Sequence, residues 1–205
     1  NDIIWYDPHN GEISSWRWTD QTFKFVAKGP SDTGSLGHDK GVEYMPIVGD
    51  FNGDALTDIF WYSAGDGADL MWWSQGDADG IFFAASSAQV AHDYRPFVGD
   101  FDANGIDDIL WFAAYAETVH VTSKIWYFTE DETYTSRVLS THRDYSPYVA
   151  DFDDDGCSDI LWYKPDDPNL ESPLWRCLPN DLDFACEPPL TTPAGTYPVG
   201  FGGAY

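Results

Sequence analysis

Apolar residues in this chain come in short packets separated by turn signals, with no sustained helical period in any window. The tightest packet follows an aspartate and is written three times, as Asp58-Ile-Phe-Trp-Tyr62, Asp108-Ile-Leu-Trp-Phe112 and Asp159-Ile-Leu-Trp-Tyr163. Ahead of each stands Tyr-x-Pro-x-Val, then Gly or Ala, then Asp-Phe, with proline at the start of the run where a strand tolerates it. A third packet centres on Trp72, Trp126 or Trp175, and a fourth on Ile81-Phe-Phe83, Tyr134-Thr135 or Phe184. Short β-formers bounded by Gly, Asp, Asn and Ser predict four strands per unit and an all-β chain.

The units are copies of one another. Residues 44–62 return as 94–112 and again as 145–163, and the first aspartates of their acidic loops, Asp50, Asp100 and Asp151, lie 50 and 51 residues apart. A period of this size predicts a repeat architecture. The chain opens at Asn1-Asp-Ile-Ile-Trp-Tyr6, which matches the second strand of a unit, and closes at Tyr197-Pro-Val-Gly-Phe-Gly-Gly-Ala-Tyr205, which matches the first. Complementary ends are how a β-propeller closes without an open edge. The expectation is one propeller domain over residues 1–205 with four blades: 1–43 plus 197–205, 44–93, 94–144 and 145–196. The other reading is a fragment of a longer array.

Between the first and second strands, oxygen-bearing residues alternate. Asp50, Asn52, Asp54 and Asp58 occupy loop positions 1, 3, 5 and 9, and position 7 offers the Leu56 carbonyl. The second loop supplies Asp100, Asp102, Asn104, the Ile106 carbonyl and Asp108; the third supplies Asp151, Asp153, Asp155, the Cys157 carbonyl and Asp159. A tight loop turns alternate side chains toward one centre, and such a shell of carboxylate, amide and carbonyl oxygens suits Ca²⁺. The metal-free alternative is an Asx-rich turn. Three loops in register favour three calcium sites. The split fourth loop, Gly200-Phe-Gly-Gly-Ala-Tyr205 joined to Asn1-Asp2, has lost the carboxylates. The Cys157 thiol, a poor calcium ligand, is expected to point away.

This loop pattern, with its Asp-Ile-x-Trp continuation and the later tryptophan, resembles the FG-GAP/VCBS repeat of integrin α-subunit heads and many bacterial surface proteins. The resemblance covers nearly the whole chain. It implies a β-propeller with calcium in the loop joining strands 1 and 2 of a blade, and it implies no particular ligand. Propellers of that family usually have more than four blades.

Composition narrows the partners. A formal charge of −25, with only ten Lys plus Arg, argues against nucleic acid and anionic membrane. Hydrophobic content of 43% supports a packed core, and no run of 18 apolar residues exists to span a membrane. No signal peptide is visible, so Asn1 reads as a mature terminus or as a boundary within a longer chain. Cys177 and Cys186 flank a hairpin-like segment and are expected to pair, in keeping with a secreted or cell-surface protein; Cys157 is then the odd thiol, inert or intermolecular.

Eight of the ten tryptophans fall on repeat positions, at 5, 61, 111 and 162 and at 16, 72, 126 and 175, and read as blade packing. Trp18 and Trp73 stand outside that register and are the candidates for stacking on a sugar ring. His38, His92, His120 and His142 are scattered and read as solvated. No nucleophile elbow, Ser-His-Asp grouping or phosphate loop is present. The expectation is a non-enzymatic calcium-binding module, a lectin or adhesion domain for a glycan or an extracellular protein. The alternative is a self-associating building block of a surface layer or filament, and a polysaccharide lyase or hydrolase is the third reading.

Overall fold

The structure, a computed structural model, describes residues 2–9, 11, 13–19, 22–26, 42–65, 69–76, 83–90, 93–114, 120–142, 144–164, 171–179, 181–191, 195–196 and 198. Among these residues every regular element is a strand. β1 (Asp2–Tyr6), β2 (Ile13–Thr19) and β3 (Thr22–Val26) form a three-stranded antiparallel sheet. β4 (Met45–Gly49), β5 (Asp58–Tyr62), β6 (Asp69–Ser74) and β7 (Phe83–Ala88) form a four-stranded sheet in chain order. The same meander recurs in β8 (Arg95–Gly99), β9 (Asp108–Phe112), β10 (His120–Phe128) and β11 (Tyr134–His142).

The last copy contains an insertion. β12 (Ser146–Ala150) and β13 (Asp159–Tyr163) are followed by β14 (Glu171–Ser172), then β15 (Leu174–Leu178) and β16 (Asp183–Cys186). The sheet order is β12-β13-β15-β16, while β14 leaves it to pair with β17 (Leu190–Thr191). Nothing in the repeat pattern announced this two-stranded ribbon. The strand expected over 197–205, which would complete the first sheet, lies outside the described residues except for Pro198.

The Asp-Ile strands are the innermost parts of their sheets. All five residues of β5, β9 and β13 are buried. Both faces of each strand are therefore covered, which is why these segments are continuous apolar runs rather than alternating ones.

By internal contacts the chain divides into two compact units, residues 1–48 with 55–92 and residues 49–54 with 93–205. In the first, Ile59, Trp61 and Trp72 are buried with Ile4, Tyr6, Ile13 and Phe83 packed on them. Trp61 meets Trp72 edge-on at 5.2 Å, and the Tyr6 ring approaches Trp61 to 5.0 Å. In the second, Phe101, Leu110, Phe112, Ile125, Tyr127, Leu139, Ile160 and Trp162 make the core. One packing rule serves both units at Trp61, Trp111 and Trp162, whereas Trp5, expected to pack likewise, is 50% exposed: the Asp-Ile-x-Trp indole stacks edge-on against the third-strand indole of its own sheet. It also packs on the last aromatic of the equivalent strand one sheet earlier, Tyr6 for Trp61 and Phe112 for Trp162.

Candidate metal-binding loops

The three acidic loops share one backbone. Positions 4 and 6 both adopt positive φ in every copy: Gly53 and Ala55, Ala103 and Gly105, Asp154 and Gly156, at 59–86°. This left-handed pair curls the chain so that side chains at odd positions converge. Position 1 anchors the curl. Asp100 accepts the amides of Asp102 and Asn104 on Oδ1 and that of Gly105 on Oδ2, at 2.8–3.3 Å. Asp151 does the same for Asp155 and Gly156, and Asp50 for Gly53 and Asp54. Position 5 closes the far side, Asn104 Oδ1 accepting from Ile106 N and Asp155 Oδ1 from Cys157 N.

Position 9 has a structural duty that spacing alone did not reveal. Asp108 is wholly buried; Oδ2 accepts the Phe101 amide at 2.9 Å and Oδ1 the Phe128 amide at 2.8 Å. Asp159 repeats this with Phe152 and Cys177, and Asp58 takes the Ser74 amide. Each carboxylate thus ties the loop to the end of the third strand. Burial pushes Asp108 up to about 8, against two amide bonds that pull it down, with Asp102 and Asp100 adding to the rise. Asp159 and Asp102 are raised for the same first reason.

Carboxylate oxygens of Asp100, Asp102 and Asp108 lie within 4.8 Å of one another, and so do those of Asp151, Asp153 and Asp159. Positions 1, 3 and 9 are therefore brought together in the second and third loops, while Asp155 at position 5 is not in its cluster. Three carboxylates at that separation repel unless protonated or bridged by a cation, and an all-oxygen donor set suits a hard one. The sheet that carries the second cluster also holds a buried polar atom with no partner. The Tyr127 hydroxyl is buried without a hydrogen-bond partner, and Asp108 and Asp102 are among the charges acting on it.

Neighbouring loops are also clamped together through position 8, a contact the sequence did not suggest. Asp107 N donates to the Asp50 carbonyl and Asp107 Oδ2 accepts the Asp50 amide, both at 2.8 Å. Ser158 N donates to the Asp100 carbonyl at 2.6 Å. The Gly before Asp is what admits the clamp: a Cβ on Gly99 would stand 2.7 Å from Ser158 Oγ and one on Gly49 2.9 Å from Asp107 Oδ2.

Two expectations are corrected. The disulfide is Cys157–Cys177, with Cα atoms 5.8 Å apart, and Cys186 is the free, exposed thiol. In the β15–β16 ladder Cys177 stands opposite Phe184 and Cys186 opposite Trp175, so the expected partners are diagonal, beyond easy bridging. Cys157 at position 7 occupies the place of the buried Ile106 and crosses to the strand that Asp159 caps. Trp73, taken as a ring open to solvent, is 4% exposed and donates Nε1 to Ser86 Oγ at 3.1 Å. It left the repeat register only by facing the other side of a strand that is covered on both. The side chains of Trp18, His120 and His142, and all of His38 and His92, fall outside the described residues.

No family model and no curated protein matches this chain. Among solved structures it is similar to an Agrocybe aegerita lectin described for specific recognition of non-reducing terminal N-acetylglucosamine. The TM-score is 0.58 at 19% identity over 92% of this chain and 48% of the lectin, so the chain spans about half that protein's length. The likeness shows a shared all-β fold.

Proposed function

We propose that this chain is a calcium-stabilised, non-enzymatic β-propeller module that binds glycans outside the cell. The observation that carries the proposal is the pair of loops in which three carboxylates converge in register, on sheets whose arrangement resembles a sugar-recognising lectin. The FG-GAP/VCBS-like repeat supports calcium at Asp50–Asp58, Asp100–Asp108 and Asp151–Asp159. The calcium would hold the loops by neutralising carboxylates that otherwise repel. The Cys157–Cys177 bridge supports an oxidising location. Acid–base catalysis is disfavoured because Asp108 and Asp159 each have both oxygens engaged by backbone amides.

The test is a glycan array that includes terminal N-acetylglucosamine, read with calcium and with a chelator. Calcium-dependent retention of a defined glycan class is expected. A blank array alongside capture of a purified extracellular protein would move the module to protein adhesion. The exposed Cys186 favours a second reading, a self-associating block. Light scattering under non-reducing conditions separates them, since a monodisperse monomer at high concentration removes it.

A further inference from the structure

The second and third loops share a backbone yet face different side chains from the third strand of their sheets. The position just before the amide that caps the buried aspartate is Tyr127 beside the second loop and Arg176 beside the third. The Tyr127 side chain is 2% exposed, and its hydroxyl has no protein partner. Burial raises its pKa, with Arg137 opposing the rise and Asp108, Asp102 and Asp183 adding to it, so it stays a neutral hydroxyl. Arg176 is different in kind. Its Nη1 lies 3.1 Å from Asp153 Oδ2, and its Nε donates to Glu187 Oε1 at 3.1 Å. Asp153 is a member of the third carboxylate cluster. A guanidinium on Asp153 neutralises part of that cluster and repels an incoming cation.

We propose that this third-strand position sets the cation affinity of its loop: Arg176 competes with a cation for Asp153, whereas the neutral Tyr127 sets no such competitor against Asp100, Asp102 and Asp108. The inference rests on the calcium reading above and deepens it by ranking the two sites. The second loop is the tight one and the third the weak one. The third is also the more sensitive to ionic strength, because salt screens the half-exposed Arg176 ion pair while the second loop has a neutral Tyr127 at that position.

The experiment is calcium titration by calorimetry, with native mass spectrometry counting bound ions. Asp50→Asn with Asp151→Asn leaves the second loop intact and Asp50→Asn with Asp100→Asn the third, each checked for an unchanged fold by circular dichroism. In the background that keeps the third loop, Arg176→Gln is expected to tighten calcium about fivefold, the upper range for releasing a partly exposed ion pair. With only the second loop intact, Tyr127→Phe is expected to leave the calcium constant within about twofold, since it removes no charge that competes for the carboxylates. Should a single-loop variant fail to fold, stepwise constants of Arg176→Gln and Tyr127→Phe in the otherwise unaltered chain report the same contrast. A third loop that binds calcium as tightly as the second, with a constant that Arg176→Gln moves by less than twofold, would overturn the ranking and leave the calcium reading standing. No bound calcium in any variant would overturn both.

Discussion

The second and third acidic loops solve one problem in two ways. Both curl through a left-handed pair, and both bury a position-9 aspartate under two amides. At position 7 they part. Ile106 fills the space by apolar burial, whereas Cys157 is bonded to Cys177 and so fastens the loop to its own sheet. The difference shows that the repeat dictates backbone path and carboxylate placement, while the plug beneath the loop is free to be either packing or a covalent bond. The loop held by a disulfide is also the one whose cluster carries an arginine. Its geometry is maintained without a cation in ways the second loop lacks.

The largest expected effect breaks what the loops share. Asp108→Ala strips the acceptors from two buried amides and should cost about 4 kcal/mol in urea unfolding. Asp108→Asn should cost much less with chelator present, because burial already favours the uncharged acid there.

Breaking what differs comes next. Replacing both Cys157 and Cys177 by Ala opens a cross-link between residues 20 apart in sequence and should cost about 3 kcal/mol, while Cys186→Ser leaves the melting temperature unchanged. Equal effects from the two would refute the observed pairing.

Chelation should act on a similar scale, since a site at a hundredfold excess over its dissociation constant contributes about 2.7 kcal/mol. Its pH dependence has a definite sign. Without a cation the folded chain holds a proton on Asp108 up to about pH 8, and the unfolded chain releases it near 3.8. That stabilisation is fully present at the acid end and is lost as the pH rises through about 8. Calcium favours the ionised form and reverses the trend, so the gap between calcium-loaded and chelated melting temperatures should widen from pH 5 to pH 8. A constant gap would show that Asp108 does not titrate with the cation.

The smallest effect sharpens the shared backbone. Ala103 sits at φ 59°, where its Cβ is strained, so Ala103→Gly should stabilise by about 1 kcal/mol. Gly105→Ala should do the reverse.

Much of this was legible because it repeats. The fully buried Asp-Ile strands, the paired indoles and the converging positions 1, 3 and 9 all follow from spacing that recurs three times. What escaped depends on partners distant in sequence. Trp73 looked exposed because it left the register, but register assigns a face, and both faces of β6 are covered. The cysteine pairing turned on ladder register, which sequence separation does not reveal. The clamp made by Asp107 and Ser158 was hidden because position 8 varies in type. Its signal lay one turn away, in the glycines at 49 and 99 that leave room for it. Asp69 was also passed over: it is wholly buried and takes the amides of Ser63 and Val90, doing for the start of β6 what Asp58 does for its end.

That clamp has an order in time. Asp50 is gripped by Asp107 and Asp100 by Ser158, each loop by the one that follows it. On a ribosome the chain emerges from its N-terminus, so each loop leaves the exit tunnel roughly a full repeat before the residue that grips it. Each of these two loops therefore stays unclamped while the next copy is being made, and its fastening waits on residues still to be synthesised.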